Sequence, residues 1–289
     1  MDLKHIPPPL NKESYHLFKN GIYDSKEVNV YINEMNDFAF LYPIPKKNYN
    51  KYVPRVKKLG LVNQNLKDKF IENRFLKIKN FFVDKLEILE IGASDGAFLK
   101  KIKEKFPQSY CTACEPDQST LDIRKVNADK CYKNIDDVYK NKKKYDIICF
   151  FHVFEHIEFP SKFLKSLEEL MKNDSLIIIE VPSIDDPLLS LYKDENYKSF
   201  YFQNQHPFIY SYKSLNRVMN YNGFKTIEII PHQRYGLENH LQWLSNGKPG
   251  GNSNFITLTE SIESKYLTNI EKTKLTDSVI WIGEKVVKE

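Results

Sequence analysis

Three histidines and one glutamate have types and spacing that suit proton transfer. His152, Glu155 and His156 stand at i, i+3 and i+4, the spacing that places side chains on one face of a helical turn. His206 follows later, in the polar segment 204–208. Histidine titrates near neutral pH and can take the proton of a hydroxyl group. His206 is therefore either a general base or a loop histidine with satisfied hydrogen bonds.

A second chemical feature is the stretch 86–99, which reads Leu-Glu-Ile-Leu-Glu-Ile-Gly-Ala-Ser-Asp-Gly-Ala-Phe-Leu. An apolar run ends near Glu90, and Gly92 and Gly96 bracket a turn of small residues. Glycine allows the backbone to approach a ligand more closely than any side chain permits. The stretch predicts a strand, a tight turn and a helix, the first unit of a nucleotide-binding βαβ fold.

Alternation of short apolar runs with helical patterns predicts the elements that position these residues. The predicted strands are 86–91, 110–114, 145–150, 175–181, 226–230 and 278–283, and the predicted helices are 97–105, 117–128, 160–171, 212–221 and 258–274. Gly223 is suited to the left-handed position that ends a helix. This order is typical of an α/β protein with a doubly wound, mostly parallel sheet.

The first 80 residues differ in composition from the rest of the chain. They are rich in Tyr, Phe, Asn and Pro and show no clear period-2 alternation, whereas 65–82 has apolar residues at helical spacing. We predict a small helical N-terminal cap over 1–80, which contacts substrate or forms a homodimer. The remainder, 81–289, is predicted to be one domain with an acceptor-binding insert at about 183–251.

Composition narrows the class of protein. Hydrophobic residues make up 41% of the chain and charged residues 28%, as in ordinary soluble domains. The net charge of +5 comes mostly from lysine, and the scarcity of arginine makes a nucleic-acid partner unlikely. The first residues lack the apolar core of a signal peptide, and no run is long enough for a membrane span. We expect a cytoplasmic protein with no membrane span.

The segment 90–96, Glu-Ile-Gly-Ala-Ser-Asp-Gly, resembles the first motif of class I S-adenosylmethionine (SAM) methyltransferases, which have a Rossmann-like fold. The resemblance implies SAM as cofactor, with Ser94 at a place that the family usually gives to glycine. Glu115, after the second strand, would bind the ribose hydroxyls, as in dinucleotide-binding folds. The complete set of cofactor residues implied in this way is Glu90, Gly92, Ala93, Ser94, Gly96, Glu115, Pro116, Asp129 (for adenine), Phe151 and His152.

The segment 151–157, Phe-His-Val-Phe-Glu-His-Ile, resembles the motif after strand four of the same superfamily, ahead of a helix that starts at Pro160. The resemblance places His152 near the transferred methyl group and makes His152, His156 and His206 the candidate bases. Two subgroups of the superfamily bind a divalent metal through Glu-x-x-Glu-His, whereas other relatives keep the Glu-His pair without metal. A metal site here would use Glu155, His156, His206 and His152.

The segments 203–212 and 232–251 are dense in polar and aromatic side chains, which suits binding of a polar acceptor. The residues predicted to contact it are Tyr210, Arg234, Tyr235, Glu238, His240 and Trp243. Lys248, in the glycine-rich loop 246–251, could meet a phosphate. The alternative interpretation is a surface helix followed by a turn.

Residues 65–289 are similar to bacterial sugar methyltransferases of surface-polysaccharide and deoxysugar pathways. The resemblance implies SAM-dependent methylation of a sugar hydroxyl, on a nucleotide-linked sugar or a capsule or lipopolysaccharide precursor. Some of those enzymes carry an N-terminal zinc domain with paired cysteines; this chain has no such pairs at its start, which favours O- over C-methylation. Two alternatives remain: a metal-dependent RNA 2′-O-methyltransferase and a SAM-binding protein without catalytic activity.

Overall fold

Eleven strands form two sheets in the part of the chain that the structure, a computed structural model, describes: residues 3–45, 60, 63–250 and 253–286. The strands are β1 Tyr15–Lys19, β2 Asn29–Asn33, β3 Phe38–Tyr42, β4 Glu87–Ile91, β5 Tyr110–Cys114, β6 Lys130–Tyr132, β7 Tyr145–Phe151, β8 Met171–Pro182, β9 Phe208–Tyr210, β10 Phe224–His232 and β11 Ser278–Lys285.

Helices connect the strands and cover the larger sheet. They are α1 Gln64–Ile78, α2 Ala97–Lys105, α3 Leu121–Asn127, α4 Ile135–Lys140, α5 Pro160–Leu167, α6 Pro187–Ser190, α7 Glu195–Tyr201, α8 Tyr212–Tyr221, α9 Leu237–Asn246, α10 Ser253–Thr259 and α11 Glu263–Thr273. The helix predicted over 258–274 is in fact two helices, α10 and α11. Among the described residues, no helix is both long and apolar enough to cross a membrane.

The larger sheet has seven strands in the order β10-β11-β8-β7-β4-β5-β6. The five strands from β8 to β6 pair in parallel, and β11 is antiparallel to both β8 and β10. The α/β fold with a mostly parallel sheet is therefore confirmed. In such a sheet, ligands bind beyond the carboxyl ends of the strands.

The prediction of a helical N-terminal cap is wrong for residues 15–42. These residues form β1, β2 and β3, and β9 joins them in an antiparallel sheet of order β1-β2-β3-β9. Only α1 and short 3-10 turns are helical among the described residues before 81. Because β3 is buried along four of its five residues, its sequence Phe-Ala-Phe-Leu-Tyr shows no alternation of polar and apolar residues.

The small sheet positions part of the site on the large one. Phe38 of β3 packs against Phe208 and Tyr210 of β9, and Tyr210 stacks on Phe154, which follows β7. The predicted insert 183–251 includes β10, which is an edge strand of the larger sheet, so the segment is not a separate insert.

Candidate functional site

The turn after β4 has a backbone conformation and a close packing that require glycine at position 92. Gly92 has φ +77°, and its N–H donates to the carbonyl of Cys114 at 2.8 Å. A Cβ built on Gly92 would lie 2.3 Å from Cγ2 of Val153. Glycine is thus required here both for its left-handed conformation and for its lack of a side chain. The next residue, Ala93, is buried.

Glu90, the acid that precedes this turn, is a buried carboxylate without a hydrogen bond to Oε2 among the described residues. Burial raises the pKa of Glu90 from 4.5 to about 8, although Arg74 opposes the rise. A buried acceptor left without a donor costs free energy, on the order of 1–3 kcal/mol. Glu90 is therefore suited to a cationic ligand group, as the ammonium end of SAM would provide.

Glu115 closes the other side of the turn, at the end of β5. Its Oε2 accepts the N–H of Ser94 at 2.9 Å, and its Oε1 accepts the N–H of Asp117 at the same distance. Ser94 has φ +50°, and its carbonyl accepts from Thr120 Oγ1 at 3.0 Å and from Arg124. These contacts stabilise a non-glycine residue at this left-handed position.

Two further predicted cofactor residues flank this turn. Gly96, also at φ +77°, begins α2, where a Cβ would lie 3.0 Å from Cβ of Asn127. Pro116 is exposed beside Glu115. Glycine at 96 thus lets α2 approach α3 closely, and the predicted residues from Glu90 to Pro116 lie together at one edge of the sheet.

The prediction that Asp129 meets adenine is wrong. Its Oδ2 accepts the N–H of Cys111 at 2.8 Å, and its Oδ1 pairs with Lys103 Nζ at 2.5 Å. Cys111 lies at the beginning of β5, and Asp129 immediately precedes β6, so both are at the amino edge of the parallel strands. The glycine turn and Glu115 lie at the opposite edge. A salt bridge and a backbone hydrogen bond explain Asp129 without a ligand.

Phe151 ends β7 and is buried between the cofactor turn and α1. Its ring packs edge-on against Phe98 at 4.7 Å between centroids, and the guanidinium carbon of Arg74 lies 4.4 Å from its centroid. Phe151 thus lies against α1 and α2, and its contact with the cofactor stays a prediction.

Glu155, His156 and His206 form an acid–histidine cluster beyond β7. One ligand atom from each lies within 4.8 Å of the others, and the two imidazole centroids are 4.9 Å apart. Nδ1 of His156 lies 2.5 Å from the carbonyl oxygen of Gln205, a contact that requires Nδ1 to carry the proton. Nε2 of His156 can then accept a proton or bind a cation.

Glu155 is fully buried, and neither carboxylate oxygen has a hydrogen bond among the described residues. Burial raises the pKa of Glu155, but the adjacent His156 and His152 outweigh that effect and hold it below its ordinary value. On the other side of the cluster, Nε2 of Gln203 lies 3.3 Å from Nε2 of His206. The small sheet brings His206 here, because Leu41 of β3 donates to the carbonyl of Pro207 at 2.9 Å.

His152 is engaged differently from the other two histidines. Its Nε2 lies 3.0 Å from Oε1 of Glu180 and 3.0 Å from Nη1 of Arg234, and its Nδ1 lies 3.6 Å from Oε1 of Glu155. An imidazole held on both sides by charged groups is poorly placed to take a substrate proton. The geometry therefore favours His156 and His206 over His152 as the base.

Glu180 is a site residue that sequence reasoning missed. It is fully buried in β8 and contacts Arg74, His152 and His232, the last at 3.2 Å from its Nδ1. Burial raises the pKa of Glu180, but Arg74 and His232 outweigh burial and hold that pKa well below its usual range. The available signal was a carboxylate inside the apolar run Ile-Ile-Ile-Glu-Val, because buried charges are almost always paired.

Three of the predicted acceptor residues are buried. Tyr210 and Trp243 are buried, and Trp243 packs against Tyr197 and Phe200 at 4.9 and 5.0 Å. His240 is also buried, with Nδ1 2.6 Å from the hydroxyl of Tyr266, and burial lowers its pKa to about 4. The assignment of Trp243 and His240 to substrate is wrong, because both rings are buried in contacts with other parts of the fold. The hydroxyl of Tyr210 has no hydrogen-bond partner among the described residues, so its contact with the acceptor stays a prediction.

Of the other residues predicted to meet the acceptor, two contact other parts of the protein and two lie half-buried or exposed. Arg234 donates from Nε to Asp277 at 3.1 Å, and Tyr235 packs on Phe70 at 5.1 Å. Glu238 lies half-buried in the first turn of α9, and Lys248 is exposed. The last residue of the predicted glycine-rich loop, Gly251, lies outside the described residues. Nothing in these contacts gathers the segment into one acceptor pocket.

The chain matches the model of one protein family and is similar in fold to solved structures. A family model described as "Methyltransferase domain" matches residues 54–229. A SAM-dependent methyltransferase from Archaeoglobus fulgidus is 19% identical, with a TM-score of 0.52 over 75% of this chain and 94% of that one. A SAM-dependent methyltransferase from Thermotoga maritima, titled a possible histamine N-methyltransferase, is 16% identical, with a TM-score of 0.50 over 80% and 96%. No curated protein matches the chain in sequence.

Proposed function

Because this chain belongs to the methyltransferase domain family and is a SAM-dependent methyltransferase, we propose that it methylates a hydroxyl group of a sugar. The observation that carries the hydroxyl assignment is the cluster of Glu155, His156 and His206 at the carboxyl edge of β7. A hydroxyl oxygen must lose its proton as it is methylated, whereas a neutral amine attacks through its lone pair. A positioned base is needed for the first reaction only.

The residues have separable roles in this proposal. Glu90, Gly92, Ser94 and Glu115 hold the cofactor, which supplies a methyl group on a cationic sulfur. Nε2 of His156 would take the hydroxyl proton as the methyl group passes from the sulfur of the cofactor to the hydroxyl oxygen. The carbonyl of Gln205 binds the proton on Nδ1, so Nε2 of the neutral imidazole carries the lone pair.

The sugar assignment rests on the resemblance to bacterial sugar methyltransferases and on the character of the residues beside the cluster. Gln203, Asn204 and Gln205 are amide side chains in the segment that carries His206. Amides both donate and accept hydrogen bonds, which suits a ligand with several hydroxyl groups. A nucleotide-linked sugar or a surface-glycan precursor fits the proposal.

A metal-assisted reaction is a second candidate, favoured by the same cluster. The buried carboxylate of Glu155 has no hydrogen bond among the described residues, and the Nδ1–H of His156 is bound to a carbonyl, as in many metal-ligating histidines. A divalent cation bound to Glu155, His156 and His206 would lower the pKa of the acceptor hydroxyl. An RNA 2′-hydroxyl would then be an alternative acceptor. His152, which the sequence offered as a fourth ligand, lies against Glu180 instead.

The test is release of S-adenosylhomocysteine from SAM with a panel of sugar nucleotides, small amines and short RNAs. We expect turnover with a sugar nucleotide, reduced about 100-fold or more in His156→Gln, the range for loss of a general base. His16→Gln, in an exposed residue of β1, is the matched control and should keep full turnover. Turnover with amines alone would overturn the proposal.

Metal analysis and EDTA treatment of the same protein separate the two candidates. Loss of turnover in EDTA that Mg²⁺ or Mn²⁺ restores, together with methylation of RNA, would favour the metal-assisted reaction. Full turnover in EDTA with no bound metal would leave the direct histidine base.

A further inference from the structure

Arg234, in the turn between β10 and α9, is held by Asp277 just before β11. Its Nε donates to Oδ1 of Asp277 at 3.1 Å, and its backbone N–H donates to Oδ2 of the same carboxylate at 3.0 Å. Asp277 is 2% exposed and also accepts from Nε2 of Gln233 and from the N–H of Tyr235. Because both members of the ion pair are bound at several points, the guanidinium is fixed in one position.

The guanidinium of Arg234 reaches the acid–histidine cluster through His152. Its Nη1 lies 3.0 Å from Nε2 of His152, whose Nδ1 lies 3.6 Å from Oε1 of Glu155. Arg234 and Glu155 thus contact opposite nitrogens of a single imidazole ring. Arg234 follows β10, which runs in the same direction as β8, so it lies beyond the carboxyl ends of these strands, where ligands bind in this fold.

The second terminal nitrogen of Arg234 is available to a ligand. Among residues 3–45, 60, 63–250 and 253–286, no group accepts a hydrogen bond from Nη2, and Nη2 is not one of the fully buried polar atoms. The side chain is 17% exposed, and its Cζ lies 5.8 and 5.5 Å from the ring centroids of Phe70 and Tyr235. Nη2 is therefore an accessible donor on a guanidinium whose other two nitrogens are fixed.

A fixed arginine with an accessible terminal nitrogen is suited to an anionic group. Carboxylates and phosphates are the usual partners of a guanidinium, since its donors match their oxygens in charge and geometry. Removing a cation from water costs free energy that an anionic partner offsets and a neutral hydroxyl does not. The amide side chains of 203–205 suit neutral hydroxyl groups, whereas Arg234 adds a charge one imidazole away from Glu155.

We propose that Arg234 binds an anionic group, a phosphate or a carboxylate, on the sugar that is methylated. The inference rests on the proposed function and narrows its acceptor to an anionic sugar, either a sugar phosphate or a uronic acid. Arg234 is then a specificity-determining residue, because a neutral sugar of the same shape leaves Nη2 without an anionic partner.

Binding of simple anions tests Arg234 without any acceptor. The complex with S-adenosylhomocysteine is titrated in EDTA, at constant ionic strength, with inorganic phosphate and separately with acetate. Nitrogen-15 NMR follows the Nε–H of Arg234, which is assigned by its loss in Arg234→Lys. We expect a saturable shift with a dissociation constant on the order of millimolar, and the anion that binds more tightly distinguishes phosphate from carboxylate. No saturable shift with either anion would overturn the proposal.

Methylation of matched acceptors then tests specificity. Glucose, galactose and mannose are each offered as the 1-phosphate, the uronate and the neutral methyl glycoside. We expect kcat/KM to be about 30-fold higher for the 1-phosphate or the uronate than for the glycoside, as for a charge-assisted hydrogen bond. In Arg234→Met this preference should fall below about threefold, mainly through KM, and Arg234→Lys should keep part of it. Arg217→Met, which removes an arginine paired with Asp37, is the matched control and should keep the preference.

Two kinds of failure are distinguishable in these experiments. Neutral glycosides methylated as efficiently as their anionic counterparts, or an unchanged preference in Arg234→Met, would overturn the role of Arg234 and leave the sugar proposal standing. Turnover with amines alone would overturn the sugar proposal, while the anion titration still reports on Arg234. Both the titration and the comparison of acceptors use the unmodified protein, so a variant that fails to fold does not affect them.

Discussion

The proposed cofactor half and the proposed acceptor half of the site are built in different ways. The cofactor half takes Glu90, Gly92 and Glu115 from the ends of two adjacent parallel strands, β4 and β5. The acceptor half takes Glu155 and His156 from the turn after β7 and His206 from a segment that β3 pins in place. In the first half, backbone geometry close in sequence sets the site, whereas the second depends on the packing of distant segments.

The largest expected effect is on the free energy of unfolding, and it tests whether Trp243 belongs to the fold or to the proposed acceptor half. Trp243 was predicted to contact the acceptor but is 3% exposed. Trp243→Ala should lower the free energy of unfolding by about 3–5 kcal/mol, the usual cost of removing a large buried aromatic side chain. Chemical denaturation measures it, with Leu244→Ala, at an exposed neighbour, as control. A normal unfolding free energy with a raised acceptor KM would restore Trp243 to the acceptor site.

The next effect concerns the backbone of the cofactor half. Gly92→Ala places a Cβ against Val153 and strains a φ of +77°, so affinity for S-adenosylhomocysteine should fall about 100-fold. Gly223→Ala is the matched control, because Gly223 has φ +84° and a Cβ built on it would meet no atom within 4 Å. It should lower stability by about 1 kcal/mol and leave cofactor affinity unchanged. Equal losses of affinity in Gly92→Ala and Gly223→Ala would show that backbone strain alone causes the loss, and not a contact between the turn at Gly92 and the cofactor.

A smaller effect is expected for Glu115, the acid that we propose binds the ribose hydroxyls. Glu115→Ala should weaken binding of S-adenosylhomocysteine about 30-fold, because hydrogen bonds to a charged group are worth about 1.5–3 kcal/mol. Asp129→Ala removes a carboxylate of the opposite edge and should change that affinity less than twofold. Isothermal calorimetry compares the two variants. A larger loss in Asp129→Ala than in Glu115→Ala would reverse our placement of the cofactor.

The smallest effect is a pH dependence that arises from Glu90. Burial raises the pKa of the Glu90 carboxyl to about 8, the charges of Asp95 and Glu115 add to the rise, and those of Arg74 and Lys67 oppose it. Binding an ammonium group favours the ionised carboxylate, so affinity for S-adenosylhomocysteine should rise about tenfold between pH 6.5 and pH 8. Glu90→Gln should remove this dependence, and calorimetry in two buffers should show proton release on binding.

The raised pKa of Glu90 also makes the stability of the unliganded protein depend on pH. Stability falls as pH rises, whereas affinity for S-adenosylhomocysteine increases. Because the folded pKa of Glu90 exceeds its unfolded value of 4.5, its contribution is fully present below that value and is lost as pH rises through about 8. Thermal unfolding should therefore show that Glu90→Gln stabilises the unliganded protein most above pH 8. A pH-independent difference between the two proteins would show that the Glu90 carboxyl titrates normally.

Sequence by itself determined six of the seven strands of the central sheet, all except β6, and the glycine turn after β4. The helices 97–105 and 212–221 were predicted with the bounds that the structure gives them, and Glu115 was placed beside the glycine turn. These features follow from local patterns, namely apolar periodicity, helix caps and left-handed glycines, whose physical causes lie within a few residues.

Only the tertiary structure decided the rest. The strands β1 to β3 acquire their partner β9 from a segment far along the chain, and that pairing places His206 beside His156. The same kind of distant packing buried His240 and Trp243 and paired Arg74 with Glu180. Polar and aromatic side chains can serve either a ligand or the fold, and which use prevails depends on neighbours that spacing along the chain does not specify.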